Sequence, residues 1–266
     1  MSQTTMTKAD KKPKNEVIET FVVIVEALII AVLFRTFLWQ PFSIPTASMQ
    51  STLMIGDYFV ANKWAWGLGK YSFPFPVPLG NRILAIGEPQ RGDIAVFHNI
   101  TNEDYIKRII GLPGDKLQMK EGRLYINGTI VPREEVGTGV DVNDGLEGVP
   151  VTIYHETLPN GVVHPIQEIS DDEFLDNTDE YVVPAGHYFM MGDNRDRSAD
   201  SRVLAQVGYV PATNIIGKAE ARFFSIQDNT PPWQIWQWPA KARWDRMFES
   251  VYQTYTTTPT RSEVSK

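Results

Sequence analysis

The chain contains no cysteine. That excludes disulfides, thiolate nucleophiles and cysteine-ligated zinc together. Histidine is scarce: His98, His155, His164 and His187 are all there are. None lies in a familiar serine-hydrolase motif, and neither a Gly-x-Ser-x-Gly elbow nor a His-Glu-x-x-His metal site is present. Between Glu134 and Glu180 there is not one Lys or Arg, although Asp and Glu are frequent. The net charge of −7 argues against a nucleic-acid partner held through phosphate contacts. Patterns for long soluble helices are also missing.

One long apolar run is present. Lys8, Lys11, Lys12 and Lys14 precede a segment from Val17 to Trp39 interrupted by Glu19, Glu26, Arg35 and a few neutral polar residues. As a helix it reaches roughly 34 Å, enough to cross a hydrocarbon core of about 30 Å. Glu26 near its centre costs about 2.5–3.5 kcal/mol on insertion scales, offset by the surrounding Phe, Val, Ile and Leu. The expectation is one transmembrane anchor over 17–39, with residues 1–16 cytoplasmic and everything beyond Trp39 outside, by the positive-inside rule. A cleavable signal peptide has the same outline. Cleavage after Ala47, however, would cut apart the Ser48 motif described below.

Beyond the anchor the pattern is that of strands. Asp57–Ala61, Asp93–His98, Tyr105–Ile110, His187–Met191 and Ala219–Phe224 read as β segments. Arg123–Ile126, Asn127-Gly128 and Thr129–Val131 read as a hairpin with a type I′ turn. A mainly β, antiparallel catalytic domain over 40–132 and 181–250 is expected, with an acidic, solvated β subdomain inserted at 133–180. Residues 251–266 read as a disordered tail. Asp141-Val142-Asn143-Asp144-Gly145 approximates a calcium loop, but its glycine falls one place early and no glutamate closes it. Neither a metal nor a cofactor is expected. Trp233, Trp236, Trp238 and Trp244, and the proline-interrupted stretch Phe73–Pro78, suit either a lipid headgroup interface or packing against the β core.

Three short stretches carry the chemistry. They are Pro45-Thr46-Ala47-Ser48-Met49-Gln50-Ser51-Thr52-Leu53, Tyr105-Ile106-Lys107-Arg108-Ile109-Ile110-Gly111-Leu112-Pro113-Gly114-Asp115, and Gly192-Asp193-Asn194-Arg195-Asp196-Arg197-Ser198-Ala199-Asp200-Ser201-Arg202. A serine hydroxyl attacks poorly until a base takes its proton. On a strand, Tyr105, Lys107 and Ile109 share one face and Ile106, Arg108 and Ile110 the other. A lysine on a core-facing strand is desolvated, which lowers its pKa. Bringing it from about 10.4 to about 8 requires roughly 3 kcal/mol.

In this order, the three stretches closely resemble the motif set of type I signal peptidases, bacterial membrane-bound serine–lysine proteases. The resemblance runs from about Val17 to Ser225. It implies removal of signal peptides from exported preproteins, at the inner membrane with the catalytic domain on the periplasmic side. Ser48 would be the nucleophile and Lys107 the neutral general base. The Ser48 N–H and the Thr46 hydroxyl would form the oxyanion hole, and Ser198 would orient Lys107. Asp193 with Arg108, and Asp200 with Arg202, would be supporting ion pairs. Ile44, Met49, Leu53 and Ile106 would line pockets for the small residues of an Ala-x-Ala site. Backbone near Phe42–Thr46 and Asp104–Lys107, Tyr105 included, would pair with the extended substrate. Preproteins and membrane lipid are the implied partners.

Two departures bear on substrate preference: Ser51 stands where the family commonly has proline, and Ala47 where many relatives have glycine. Two rival readings are a self-cleaving serine–lysine regulator and a catalytically silent membrane-anchored scaffold. The first requires a cleavage segment and a DNA-binding or sensing domain, and the sequence shows neither.

Overall fold

The computed structural model describes residues 16–255 except 74, 102, 142–147, 228–229 and 254. The four N-terminal lysines, most of the calcium-like loop and residues 254 and 256–266 of the expected tail lie outside the described residues. Val251, by contrast, is buried in the core with Tyr252 packed against it, contrary to the expectation of disorder from 251. The apolar run forms helix α1, Glu16–Phe37, which is long and apolar enough to cross a membrane and has none of its apolar window buried against the protein. It ends two residues earlier than expected. Trp39 already belongs to a strand, paired with Asn62, and its indole N–H donates to Glu220 at 3.1 Å.

The strands in chain order are β1 (Trp39–Ser43), β2 (Asp57–Asn62), β3 (Ile94–His98), β4 (Asp104–Gly111), β5 (Lys116–Lys120), β6 (Arg123–Ile126), β7 (Thr129–Ile130) and β8 (Arg133–Asp141). They continue as β9 (Val149–Thr157), β10 (Val163–Glu168), β11 (Tyr181–Val182), β12 (His187–Met191), β13 (Val210–Pro211), β14 (Ile215–Ser225) and β15 (Glu249–Ser250). Among the described residues they form three antiparallel sheets, so the fold is mainly β. The largest runs β1-β2-β14-β3-β4-β12-β13, with β15 on β14. The second is β11-β5-β6-β7 and the third β10-β9-β8. The β6–β7 turn carries Asn127 and Gly128 at φ 52° and 78°, the two left-handed residues that a type I′ hairpin requires.

Alternation along β4 divides the core. Ile106 packs with Ile44, Met49, Leu53 and Phe59; Ile110 joins Leu117, Leu124 and Phe189; Tyr105 and Ile109 face Phe97, Met190 and Ile215. One strand therefore contributes to three apolar clusters, and its position is set by all of them.

The β8–β10 sheet departs from the expected solvated insert. Its carboxylates Asp141, Glu156 and Glu168 are buried. Each meets an arginine: Asp141 meets Arg197 at 2.7 Å, Glu156 accepts two bonds from Arg195, and Glu168 pairs with Arg133. The local lack of Lys and Arg is made good by cations from outside the acidic stretch. His164 lies between Glu156 (3.2 Å) and Asp193 (3.4 Å), so the charge network runs from the insert into the third motif. Burial pushes the Glu156 carboxyl up, but Arg195 and then His164 hold it down at about 2.

Replacing Glu156 with Ala leaves the buried Arg195 uncompensated and is expected to cost about 3–5 kcal/mol. Denaturant unfolding measures this loss. The Glu156 pKa is depressed by folding, so its contribution is present above its unfolded value near 4.5 and disappears as pH falls toward about 2. The acid side of the stability profile should therefore flatten in Glu156→Ala.

Candidate active site

Ser48 occupies a short 3₁₀ turn, Ala47–Met49, entered from extended Thr46. The second N–H of such a turn has no acceptor within the turn. The core residues Ile44, Met49 and Leu53 fasten the turn from below, each at most 2% exposed. The cavity described below is bordered by Ile106 but by none of these three, contrary to the expectation from sequence. Their apolar side chains supply the floor beneath it.

Lys107 reaches the turn from β4. Its Nζ lies 2.6 Å from Ser48 Oγ and 2.9 Å from the Ile106 carbonyl oxygen, which it approaches as a donor. The Tyr105 ring centroid is 5.2 Å from Nζ. Burial lowers the Lys107 pKa to about 8, against upward pulls from Asp200 and Asp193. About a tenth of the amine is thus neutral at pH 7, rising to about half near pH 8. In that form the Ser48 hydroxyl donates to Nζ.

The neighbouring charges are themselves saturated. Asp193 accepts from Arg108 Nε at 2.9 Å and Nη2 at 2.6 Å, and from the Thr52 hydroxyl at 2.5 Å. Asp200 accepts from Arg202 Nε and Nη2, both at 2.9 Å, and from the Gly192 N–H at 3.0 Å. Despite burial, Arg108 draws the Asp193 pKa far below the carboxylate range, and Arg202 lowers that of Asp200.

The structure does not join Ser198 to Lys107. Ser198 is buried, its Oγ makes no hydrogen bond of ordinary geometry, and its hydroxyl helps to keep Asp200 ionised. The nearby carboxylate competes with the amine for this hydroxyl, and the Ile106 carbonyl takes the orienting place at Nζ. The Thr46 hydroxyl lies 3.4 Å from Ser48 Oγ, on the same side of the turn.

Several residues missed by sequence reasoning hold the nucleophile turn. Asn194 donates its backbone N–H to the Ser48 carbonyl at 3.2 Å and its side-chain N–H to the Ala47 carbonyl at 3.2 Å. Ser51 is left-handed at φ 86°, and its hydroxyl donates to Gln167 of β10 at 3.0 Å. A Cβ at Gly192 would overlap the Ser198 side chain and the Ser48 carbonyl oxygen, so glycine is needed for this close approach. Asn194 and Gly192 fall within the third motif. Gln167, 116 residues from Ser51, gives no local signal.

A cavity of 520 Å³ opens above the pair, lined by Phe42, Thr46, Ser48, Phe59, Val96, Asp104, Tyr105, Ile106, Lys107 and Ala199, among others. Two strand edges border it. β1 is the outermost strand of its sheet, and Asp104–Lys107 pair with β3 only, because β12 meets β4 no earlier than Arg108.

A hydroxyl against a buried amine, beside a groove with open strand edges, is the arrangement of a peptide hydrolase that attacks through a side chain. The comparisons with known proteins name the family. The family described as signal peptidase, peptidase S26, matches residues 17–224. Signal peptidase I of Rickettsia typhi is 38% identical over 92% of this chain and 97% of its own length. That of Rickettsia prowazekii is 39% identical over 84% and 89%. The crystal structure of a signal peptidase I from Enterococcus faecalis is 29% identical, covering 50% of this chain and 98% of its own, with a TM-score of 0.30. The chain belongs to the S26 signal peptidase family.

Arg202→Gln leaves Asp200 without its cation. The carboxylate then acts on Lys107 undiminished and raises its pKa. The rising limb of kcat/KM against pH, expected near 8 in the parent, should move to higher pH in this variant. An unmoved limb would show that Asp200 does not act on the base.

Proposed function

We propose that this chain removes signal peptides from preproteins through Ser48 as nucleophile and Lys107 as general base. The observation that carries the reading is the 2.6 Å approach of Ser48 Oγ to a buried lysine whose pKa is lowered to about 8. Ser48 Oγ attacks the scissile carbonyl while Nζ takes its proton. The tetrahedral oxyanion faces the Ser48 N–H and the Thr46 hydroxyl. Collapse expels the new N-terminal amine, which takes the proton back from Nζ and leaves an ester on Ser48. Water then attacks the ester, giving a proton to Nζ. As the Oγ–acyl bond breaks, Nζ returns that proton to Ser48 Oγ, and the signal peptide leaves as a carboxylate after losing its acid proton to solvent.

The extended substrate adds as a strand between the open edges at Phe42–Ser43 and Asp104–Lys107, where main-chain pairing gives affinity and side-chain pockets give selectivity. Phe42 and Ile106 contribute apolar wall to the groove. Helix α1 anchors the enzyme. Single-pass insertion in a bacterial inner membrane places residues 1–16 in the cytoplasm and the β domain outside. The catalytic domain is read as 40–132 and 181–250, with 133–180 as its insert.

Ser48→Ala and Lys107→Ala should each nearly abolish preprotein processing with the fold retained. Because the pair acts as a unit, the double variant should be little worse than either. Thr46→Val should reduce kcat more than it raises KM, by about 2.7–4 kcal/mol in the barrier, while Thr46→Ser remains active. Unimpaired turnover by Lys107→Ala would remove the serine–lysine mechanism.

Exposed aromatics extend the membrane reading. Phe75, Trp233 and Trp236 are 81%, 72% and 71% exposed, whereas Trp238 packs on Phe224 with ring centroids 4.7 Å apart. Exposed indoles favour the headgroup region. Vesicle co-sedimentation of the fragment from Pro41 onward should weaken when Trp233 and Trp236 become Ser. Equal sedimentation would assign them no role at the lipid surface.

A further inference from the structure

A second cavity, of 270 Å³, lies where helix α1 meets the β domain and shares only Asp104 with the lining of the cleavage groove. Its polar lining is Arg35, Thr36, Gln40, Lys63, His98 and Asp104. Arg35 is in the last turn of α1 and makes no ion pair among the described residues. Thr36 is 6% exposed, yet its hydroxyl has no hydrogen-bond partner. Lys63 is 2% exposed, and its Nζ donates to the Ser72 carbonyl. Asp104 already meets His98 at 2.9 Å. Two cations and an unpartnered hydroxyl thus converge on a cavity whose lining holds a single carboxylate.

We propose that this cavity binds the phosphate of an anionic phospholipid headgroup, with Arg35, Lys63 and the Thr36 hydroxyl as its contacts. The lipid source follows from position. Arg35 ends a helix read as membrane-spanning, and the helix passes directly into β1, with the Lys63 N–H bonded to the Leu38 carbonyl at 3.1 Å. Phe37 packs edge-on against Phe73, which also lines the cavity, at 6.3 Å. The cavity is therefore held at the depth where the helix leaves the hydrocarbon. Burial and then Arg35 lower the Lys63 pKa to about 8, with Asp104 opposing. A phosphate between the two cations would relieve both costs. The bound lipid would fix the angle between anchor and β domain, and hence the height of the Ser48 groove above the membrane. This site rests on the membrane-anchored reading given above.

The test uses the full chain in neutral detergent micelles, with bound lipid counted by native mass spectrometry. Phosphatidylglycerol, phosphatidylcholine and inorganic phosphate are the probes. The parent should retain one phosphatidylglycerol in preference to phosphatidylcholine. Arg35→Gln and Lys63→Met should each weaken that retention by about tenfold or more, as expected for losing a charged hydrogen bond. Trp233→Ser with Trp236→Ser should leave it unchanged. If Lys63→Met does not fold, Arg35→Gln decides alone, since Arg35 is exposed. Equal retention by parent and Arg35→Gln overturns the site. Displacement of the lipid by inorganic phosphate at equal concentration also overturns it, assigning the cavity to a free anion. Arg35→Gln should cleave a preprotein in neutral detergent at the parent rate, so failure here is distinguishable from failure of the Ser48–Lys107 reading.

Discussion

A lysine can lose its charge only where burial outweighs every nearby anion, and the site is arranged around that inequality. Asp193 and Asp200 both pull the Lys107 pKa upward, and both are close enough to matter. Each is held by its own arginine, Arg108 and Arg202, so the field that reaches Nζ is reduced and desolvation prevails. Unpaired, these carboxylates would favour the ammonium form of Lys107. The buried ion pairs thus bear on the Lys107 pKa beyond any stability they add, and such pairs are in general poor sources of net stability.

The same pairs tie separate parts of the chain into one frame. Arg108 follows Lys107 on β4, so its bond to Asp193 fixes the strand that presents the amine. Asp193 also accepts from Thr52, beyond the nucleophile turn, and its neighbour Asn194 bonds the carbonyls of Ala47 and Ser48. Lys107 and Ser48 are therefore positioned by one loop. The acidic insert joins this frame through Glu156, His164 and Gln167. Its packing holds Ser51 in a left-handed conformation that a serine adopts only under support.

Membrane attachment and the groove share a strand at a distance. Asp104 borders both the substrate cavity and the cavity beside α1. The position of α1 relative to β1 and β4 thus bears directly on the placement of the open strand edges. Only residues 38–41 separate the helix from Phe42, which lines the groove.

Much of this was legible in the sequence because its signals are local. The apolar run, the Asn127-Gly128 turn, the alternation along β4 and the three motifs each depend on residues close in the chain. The acidic stretch misled because composition reports charge without its partners: Arg133, Arg195 and Arg197 lie outside it, and only the fold brings them to Asp141, Glu156 and Glu168. For the same reason Ile44, Met49 and Leu53 were read as groove wall and are floor, since a motif does not say which way an apolar side chain points. The resemblance places Ser198 on the amine, but the Asp200 carboxylate draws its hydroxyl and the Ile106 carbonyl takes the place at Nζ, and both are matters of three dimensions. The sequence by itself determined the residue types able to react and their order along the chain. Tertiary structure decided which charges are neutralised around Lys107, because burial and distance set a pKa and neither is a local property of the chain.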